Sequence, residues 1–138
     1  MVTAALQQLI INSLNDSTIK VLPRFITQET KTFPCVTIQK LDEEESGNLC
    51  DVETLALAWY QVDTWCHAPL DAMKCAKTIK DSLRGFRGVV TDIHADVPDM
   101  EMFVRFKKEV ELVEKPLQGS DKWIYRVAQR YTVRYRDA

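Results

Sequence analysis

The chain has 138 residues, of which 46% are hydrophobic and 28% charged, and its formal net charge is −2. This balance is ordinary for a soluble globular protein, and the length predicts one domain over residues 1–138 with a core of its own. The nearly neutral charge gives no overall attraction to nucleic acid or to an acidic membrane. No apolar run approaches the roughly 20 residues that cross a bilayer, so no membrane partner is expected.

The first residues, MVTAALQQLI, lack the basic segment and the small-residue cleavage site of a secretory signal. This predicts a cytosol-like compartment, in which the four cysteines of the chain stay reduced. No two of them form a CxxC pair, and their spacing argues against a zinc site. We therefore expect neither a metal nor a cofactor.

The predicted elements begin with a helix over residues 3–14, where leucine and isoleucine recur at helical spacing and Thr3 is placed to cap the N terminus. Pro23 breaks any helix that follows. A short extended piece is expected around residues 24–27. Residues 33–41 are rich in β-branched side chains and predict a strand.

An acidic run follows this strand, and we interpret it as an exposed, solvated loop, with docking on a basic partner surface as the better functional alternative. Four acids followed by Ser-Gly-Asn have no apolar anchor and do not belong in a core. A metal site is the less favoured interpretation, because carboxylate ligands usually alternate along a loop around a glycine bend or come from distant elements. The run consists of Asp42, Glu43, Glu44 and Glu45.

Residues 54–66 predict a long strand with two different faces. One face carries small side chains that suit close packing on a helix. The other mixes aromatic and polar side chains, including Gln61, Asp63 and Trp65. That mixture suits a partner subunit or a wet interface better than a dry core.

A second helix is predicted from Pro69, a residue favoured at the first helical position, to the glycine at position 85. Residues 89–101 are predicted as a loop or weak strand, and residues 103–114 as a strand. The buried stripe of the helix is expected to consist of Leu70, Met73, Ala76, Ile79 and Leu83.

The clearest alternation in the chain lies in residues 122–136, which predict a strand with an aromatic and a basic face. The basic face carries Arg126, Arg130, Arg134 and Arg136. The aromatic face, expected in the core, consists of Trp123, Tyr125, Val127, Tyr131, Val133 and Tyr135. The order of elements predicts an α+β fold, with two helices packed on one face of an antiparallel or mixed β-sheet of about four to five strands.

No nucleotide-binding, hydrolase or metalloprotease motif occurs in the chain, and we expect no catalytic residues and no enzymatic activity. Cys66 and His67 are adjacent, but neighbouring strand residues point to opposite faces and do not easily share one substrate. The arginine face suits either a protein interface or phosphate contacts. Because the aromatic residues of this strand lie on its other face, the interface is favoured.

Taken in chain order, five segments resemble the tail-completion, or tail-terminator, proteins of long-tailed bacteriophages and prophages. They are AALQQLI, FPCVTIQKLDEEESG, LALAWYQVDTWC, DAMKCAKTIKDSLRGFRG and WIYRVAQRYTVRYR. In that family a strand with Val, Asp and Trp, here residues 62–65, precedes an alanine-rich helix that ends in a Leu-x-Gly-x-x-Gly pattern, here residues 83–88. Order and spacing carry the resemblance, which covers nearly the whole chain.

The resemblance implies a structural virion protein, assembled in the bacterial cytoplasm, that forms a six-fold (hexameric) ring on the head-proximal end of the tail tube. Such a ring stops tube polymerisation and provides the head–tail joining surface. The implied partners are further copies of the chain, the tail tube protein and the head connector or stopper protein, with DNA only as passing cargo. The alternatives are a nucleic-acid-binding module that uses the arginine face, and a small enzyme with an unrecognised site.

The expected subunit or partner interface combines the acidic run, the polar face of the long strand and the arginine face of the last strand. Its residues are Asp42, Glu43, Glu44, Glu45, Gln61, Asp63, Trp65, Arg126, Arg130 and Arg134.

Overall fold

The computed structural model describes residues 2–23, 34–46, 55–93, 96–116 and 122–137. Its elements are α1 (Val2–Leu14), β1 (Lys20–Leu22), β2 (Cys35–Ser46), β3 (Leu55–Cys66), α2 (Pro69–Leu83), β4 (Arg87–Val90), β5 (Met100–Glu114) and β6 (Ile124–Asp137). The α+β class agrees with the prediction, but the described residues form six strands rather than four to five. No helix within these ranges is long and apolar enough to cross a membrane.

The strands form one mixed sheet in the order β1-β2-β3-β6-β5-β4. β1 pairs in parallel with β2, and each of the other neighbouring pairs is antiparallel. β6 follows all the other described strands in the chain, yet it lies between β3 and β5 in the middle of the sheet. The residues that the sequence placed on two separate strands, β3 and β6, are therefore direct neighbours.

The core lies between the two helices and one face of the sheet. Leu6 and Ile10 of α1 pack there, and Tyr60 of β3 and Tyr131 of β6 are fully buried beneath the helices. The predicted helix-facing side of β3 is confirmed, since its described even-numbered side chains are all buried. Thr3 is not an N-cap as predicted, because α1 already begins at Val2; its hydroxyl instead lies 2.7 Å from the Tyr60 hydroxyl.

Helix α2 begins with proline in its first turn, as predicted, and Gly85 beyond its end has a φ of 74°. That left-handed conformation is one that glycine adopts without strain. The predicted buried stripe is wrong at its start, because Leu70 and Met73 are exposed. Small side chains on the neighbouring stripe allow close approach to the sheet and turn these two residues outward. The buried residues are Ala72, Cys75, Ala76, Ile79 and Leu83.

Several strand predictions need correction. The first strand lies at residues 20–22, whereas the extended piece expected around residues 24–27 falls outside the described residues. The weak strand expected within residues 89–101 is β4, which begins earlier and pairs with the start of β5.

The predicted core face of β6 is confirmed at Val127, Tyr131 and Val133, which are buried, while Tyr125 and Tyr135 are half-buried. Trp123, also expected in the core, is 53% exposed and precedes the strand, which begins at Ile124.

Candidate interaction surface

The candidate surface is the face of the sheet that points away from α1 and α2, here called the outer face. Strand register brings the predicted β3 and β6 residues together on it. Trp65 lies directly opposite Arg126, and Gln61 lies directly opposite Arg130. The third arginine of β6 lies opposite Leu57. Two patterns that were separate in the sequence thus form one surface, and the register is the feature that joins them.

A buried ion pair between Arg126 and Asp63 lies at one end of this surface. Arg126 donates from Nε to Asp63 Oδ1 at 3.1 Å and from Nη2 to Asp63 Oδ2 at 3.3 Å. Its Nη1 donates to Glu114 Oε1 of β5 at 3.1 Å. The Asp63 side chain is only 1% exposed and that of Arg126 is 19% exposed. Since this fork-to-carboxylate geometry links β3, β6 and β5, it fixes the three strands relative to one another.

Side chains next to the ion pair also contact both of its members. Gln61 Nε2 donates to both carboxylate oxygens of Asp63 at 3.1 Å. The guanidinium carbon of Arg126 lies 4.8 Å from the centroid of the Trp65 ring, a cation–π contact. Trp65 itself is buried and donates from Nε1 to the Thr37 hydroxyl at 2.9 Å. Asp63, Trp65 and Arg126 are therefore held by partners within the chain.

Burial alone would lower the pKa of the Arg126 guanidinium, but its hydrogen bonds and charge interactions with Asp63 and Glu114 outweigh that effect and raise the pKa. Arg126 stays charged and paired at any ordinary pH. A phosphate would have to displace two carboxylates to bind it, so this arginine does not act as an open phosphate site.

The exposed charged residues that β5 and β6 present on the outer face are basic. Arg130 and Arg134 of β6 are exposed, as are Arg105 and Lys108 of β5, which lie opposite Thr132 and Arg130 respectively. Only a long contact of 3.4 Å, from Arg130 Nε to Gln61 Oε1, links Arg130 to the polar residues of β3. A shallow cavity of about 260 Å³ opens between Lys108, Arg130 and the Arg126 cluster.

Aromatic side chains flank this basic region, which the sequence of β6 alone does not reveal. Trp59 of β3 and Phe103 of β5 lie on the outer face beside Thr132 and Arg134. Both are half-buried. Aromatic residues are absent from the arginine face within β6, as stated above, but the neighbouring strands supply them.

The acidic run is not a loop, and that prediction is wrong. Asp42 to Glu45 belong to β2 and pair with residues 56–59 of β3. The run can form a strand because it lies towards the edge of the sheet, where charged side chains reach water while the backbone pairs on one side. The glycine and asparagine at positions 47–48, which were expected to continue the loop, lie outside the described residues.

An irregularity in β2 sorts these acids onto two faces. The register shifts between Lys40 and Asp42, which leaves Leu41 as an extra residue. Asp42 and Glu44 consequently share the outer face with the exposed cations, whereas Glu43 lies on the helix side and bonds Lys40 Nζ at 2.6 Å. Asp42, Glu43 and Glu44 are all exposed.

An apolar groove lies between the start of α2 and the far half of β5, and sequence reasoning did not find it. Leu70, Met73 and Val113 are 67%, 43% and 59% exposed. Two adjoining cavities of about 270 and 320 Å³ lie along the contact of α2 with β5 and β6. The signal was present in the sequence as apolar residues on both faces of residues 110–113, which a strand covered on one face alone would not carry.

The three cysteines that the structure describes, Cys35, Cys66 and Cys75, are free and buried. No group of three or more His, Cys, Asp or Glu residues among them could hold a metal ion. Burial raises the pKa of the Cys75 thiol to about 11, with a further contribution from neighbouring Cys66, and burial also raises the pKa of the Cys35 thiol. Protonated buried thiols are poor nucleophiles.

Comparison with protein-family models gave no match, and no curated protein sequence matched the chain. The fold does match solved structures. One is a chain of a particle described as "Virion of native gene transfer agent (GTA) particle", with a TM-score of 0.52 and 12% sequence identity. The match covers 96% of this chain and 92% of that chain. At this identity the likeness shows a shared fold over almost the full length of both chains.

Proposed function

We propose that this protein is a structural virion protein of a phage or phage-like particle, and that it caps the head-proximal end of the tail tube as a ring. The observation that carries the proposal is the whole-length fold likeness to a chain of a gene transfer agent virion. The resemblance of the sequence to tail-terminator proteins points the same way by a separate route. In this role the protein acts by assembly and catalyses no reaction.

The proposed partners are further copies of the chain in a six-fold ring, the tail tube protein below it and the head connector or stopper protein above it. DNA passes through the ring only as cargo. The shape of the molecule supports such a role, because a protein that touches a neighbour on each side and a partner at each end needs several separate surfaces. The outer face, the acidic part of β2 and the apolar groove beside α2 supply them.

One observation favours a second candidate, a nucleic-acid-binding module. Arg105, Lys108, Arg130 and Arg134 lie together on the outer face with Trp59 and Phe103 beside them. Cations with flanking aromatic rings are typical of single-strand binding surfaces. Titration of DNA binding against salt separates the two candidates, because binding through phosphates gives a steep loss of affinity as salt rises.

The experiment that tests the cap is electron microscopy of particles produced with and without this protein. Without it, we expect tails of irregular length and heads that carry no tail. Supplying the unaltered chain in trans should restore both uniform tails and joined particles. Uniform tails that still join heads in its absence would refute the cap and leave nucleic-acid binding as the stronger candidate.

A further inference from the structure

No described helix or strand covers the outer face of the sheet, because α1 and α2 both pack on its other side. An antiparallel sheet with one face in water usually places polar side chains on that face. The outer face departs from this rule. Val110 and Leu112 of β5 are 37% and 39% exposed on it, and Leu57, Trp59 and Phe103 are half-buried. Apolar side chains on an open sheet face indicate that a partner packs there.

Charge is unevenly divided over this face. Among β2, β3, β6 and β5, the exposed acids that the structure describes on it, Asp42 and Glu44, lie on β2, and the exposed cations lie on β6 and β5. Three rows of residues lie level across these strands. Read from β2 to β5, they are Gln39, Gln61, Arg130 and Lys108; Asp42, Trp59, Thr132 and Arg105; and Glu44, Leu57, Arg134 and Phe103.

The acids and the β5 cations of one chain do not meet, because β2 and β5 are three strand spacings, or about 14 Å, apart. Neither Asp42 nor Glu44 forms an ion pair with another described residue. The row of Asp42 and Arg105 thus carries a negative charge at one end and a positive charge at the other. A face of this kind is complementary to itself once it is turned over.

The division of charge selects how two outer faces can pack. A two-fold axis that runs along the strands, between β3 and β6, turns a second copy over so that its β2 faces β5 and its β3 faces β6. The acids of each copy then face the cations of the other. A two-fold axis across the strands would instead place β2 on β2 and juxtapose like charges, which is costly.

The charged pairs of this arrangement follow from the rows. Asp42 faces Arg105 of the second copy. Glu44 falls between Arg134 and Arg87 of the second copy, which lie on either side of the residue that it faces. Packed sheets lie about 10 Å apart and are rotated by about 30°, which displaces facing residues at this distance from the axis by about 4 Å. An arginine side chain is long enough to span that offset.

The uncharged positions are compatible with the same packing. Arg130 faces Gln61 and Lys108 faces Gln39, so no cation of these rows opposes a cation. Trp59 lies next to the axis and becomes enclosed. The four strands are about 20 Å wide and the rows extend over about 30 Å, so the contact covers about 600 Å² of each copy. A total of about 1,200 Å² is at the lower end for specific interfaces, and the dimer should depend on concentration.

We propose that the outer face binds the outer face of a second copy around this two-fold axis. The inference goes beyond the proposed cap, because a ring is built from head-to-tail contacts, whereas a two-fold contact joins only two chains. It does not require the cap to be correct. A nucleic acid would compete with the second copy, since both need the cations of β5 and β6.

Charge reversal tests the contact. Asp42→Arg places like charges opposite each other at both ends of the dimer, and so does Arg105→Asp. Each variant alone should dimerise at least about tenfold more weakly than the unaltered chain in sedimentation equilibrium at low salt. An equimolar mixture of the two should regain the unaltered dissociation constant, because every facing pair is then opposite in sign. Lys74→Glu, at an exposed position of α2, is the matched control and should leave dimerisation unchanged.

Cross-linking provides the second arm. Asp42→Cys and Arg105→Cys are made in separately tagged chains in which Cys50→Ser removes the thiol outside the described residues; the other cysteines are buried. The chains are mixed and treated with a short bismaleimide. The mixed 42–105 product should form at least about tenfold faster than the product of Asp42→Cys with Lys74→Cys, because packing raises the local concentration of the two thiols.

Three results would overturn the proposal: an unaltered chain that stays monomeric, reversal variants that dimerise as the unaltered chain does, or a mixture that fails to regain the dimer. A monomer whose binding to a single-stranded oligonucleotide is lost in Arg105→Asp would assign the outer face to nucleic acid instead. The imaging of particles reports separately on the cap. Tails that need the protein without a dimer would keep the cap, and a dimer with tails unaffected by loss of the protein would keep the two-fold contact and refute the cap.

Discussion

At the scale of single residues, the outer face separates side chains that hold the fold from side chains that are free to meet a partner. Asp63 and Arg126 bind each other in a nearly buried pair, and Trp65 is buried beside them. Gln61, Arg130 and Arg134 remain accessible on the same face. The sequence presented these six residues on the polar faces of two separate strands without distinguishing buried from exposed members, because alternation assigns a face but not the depth of burial on that face.

The first prediction concerns the buried ion pair. Asp63→Ala should lower the free energy of unfolding by about 3 kcal/mol, because it leaves the Arg126 guanidinium without its main partner. The double variant Asp63→Leu with Arg126→Met should recover most of that loss, since it leaves no unpaired buried charge. Urea denaturation of the single and double variants measures both. Additive losses in the double variant would show that the two side chains act independently.

Two tyrosines of β6 should respond differently to truncation. Tyr131 is fully buried and donates from its hydroxyl to Gln129 Oε1 at 3.1 Å, whereas Tyr125 is half-buried. Tyr131→Ala should therefore cost about 3–5 kcal/mol, within the range for large buried aromatics, and Tyr125→Ala clearly less. Thermal unfolding of the two variants side by side is the measurement, and equal losses would contradict the assigned depth of the two rings.

Alkaline pH should weaken the fold through Cys75. Its folded pKa is raised from 9.0 to about 11 by burial, so the unfolded chain loses this proton first. The stabilising contribution is complete below about pH 9 and is lost between about pH 9 and 11, amounting to on the order of 2–3 kcal/mol. Urea midpoints measured across that range should fall with pH in the unaltered chain and fall less in Cys75→Ala. Identical slopes would exclude this thiol as a cause.

At the scale of the elements, the sequence predicts the helices and strands that bury one continuous face of their own, because burial produces a regular spacing of apolar residues. The helix at residues 3–14 and the strands at residues 54–66 and 122–136 are confirmed because each has a continuous buried face. β1 and β4 have only three and four residues and owe their structure to a partner strand, which periodicity does not report. The acidic half of β2 was missed for the same reason, since its pairing with β3 decides its conformation.

Two matched substitutions on α2 test its orientation. Ala76→Asp should prevent folding, because Ala76 is 2% exposed and a carboxylate there would lose most of its hydration. Met73→Asp, one turn earlier and 43% exposed, should leave a folded protein. Circular dichroism and unfolding transitions of the two purified variants give the result. If Met73→Asp is the variant that unfolds, the helix is rotated and the stripe expected from the sequence applies after all.

At the scale of the whole molecule, function is proposed to reside in edges and faces rather than in a pocket. The net charge of −2 conceals an uneven distribution, with acids in the second half of β2 and exposed cations on β5 and β6 at Arg105, Lys107, Lys108, Arg130 and Arg134. Composition alone does not reveal this, because the order of strands in the sheet decides which charges become neighbours. The assignment of the acidic residues to an interface stays a prediction, whereas the loop conformation expected for them is wrong.

Neutralising the acidic run should separate assembly from folding. Replacement of Glu43, Glu44 and Glu45 by serine should leave the unfolding transition within about 0.5 kcal/mol of the unaltered chain, since Glu43 and Glu44 are exposed. Assembly should weaken because the run loses the charge with which it is proposed to dock on a basic partner surface. Sedimentation equilibrium measures the association and urea denaturation provides the control. Unchanged assembly would mean that these carboxylates serve only to keep the edge soluble.

The central position of β6 has a consequence for synthesis of the chain. β3 and β5 both pair with β6, yet β6 is synthesised after them. The two halves of the sheet therefore cannot join until the residues of β6 have left the ribosome. Until then the nascent chain exposes two long strands that could pair wrongly with other chains. Ribosomes stalled before residue 124 should therefore display protease-sensitive chains that bind chaperones, and protection should arise in a single step once β6 is free.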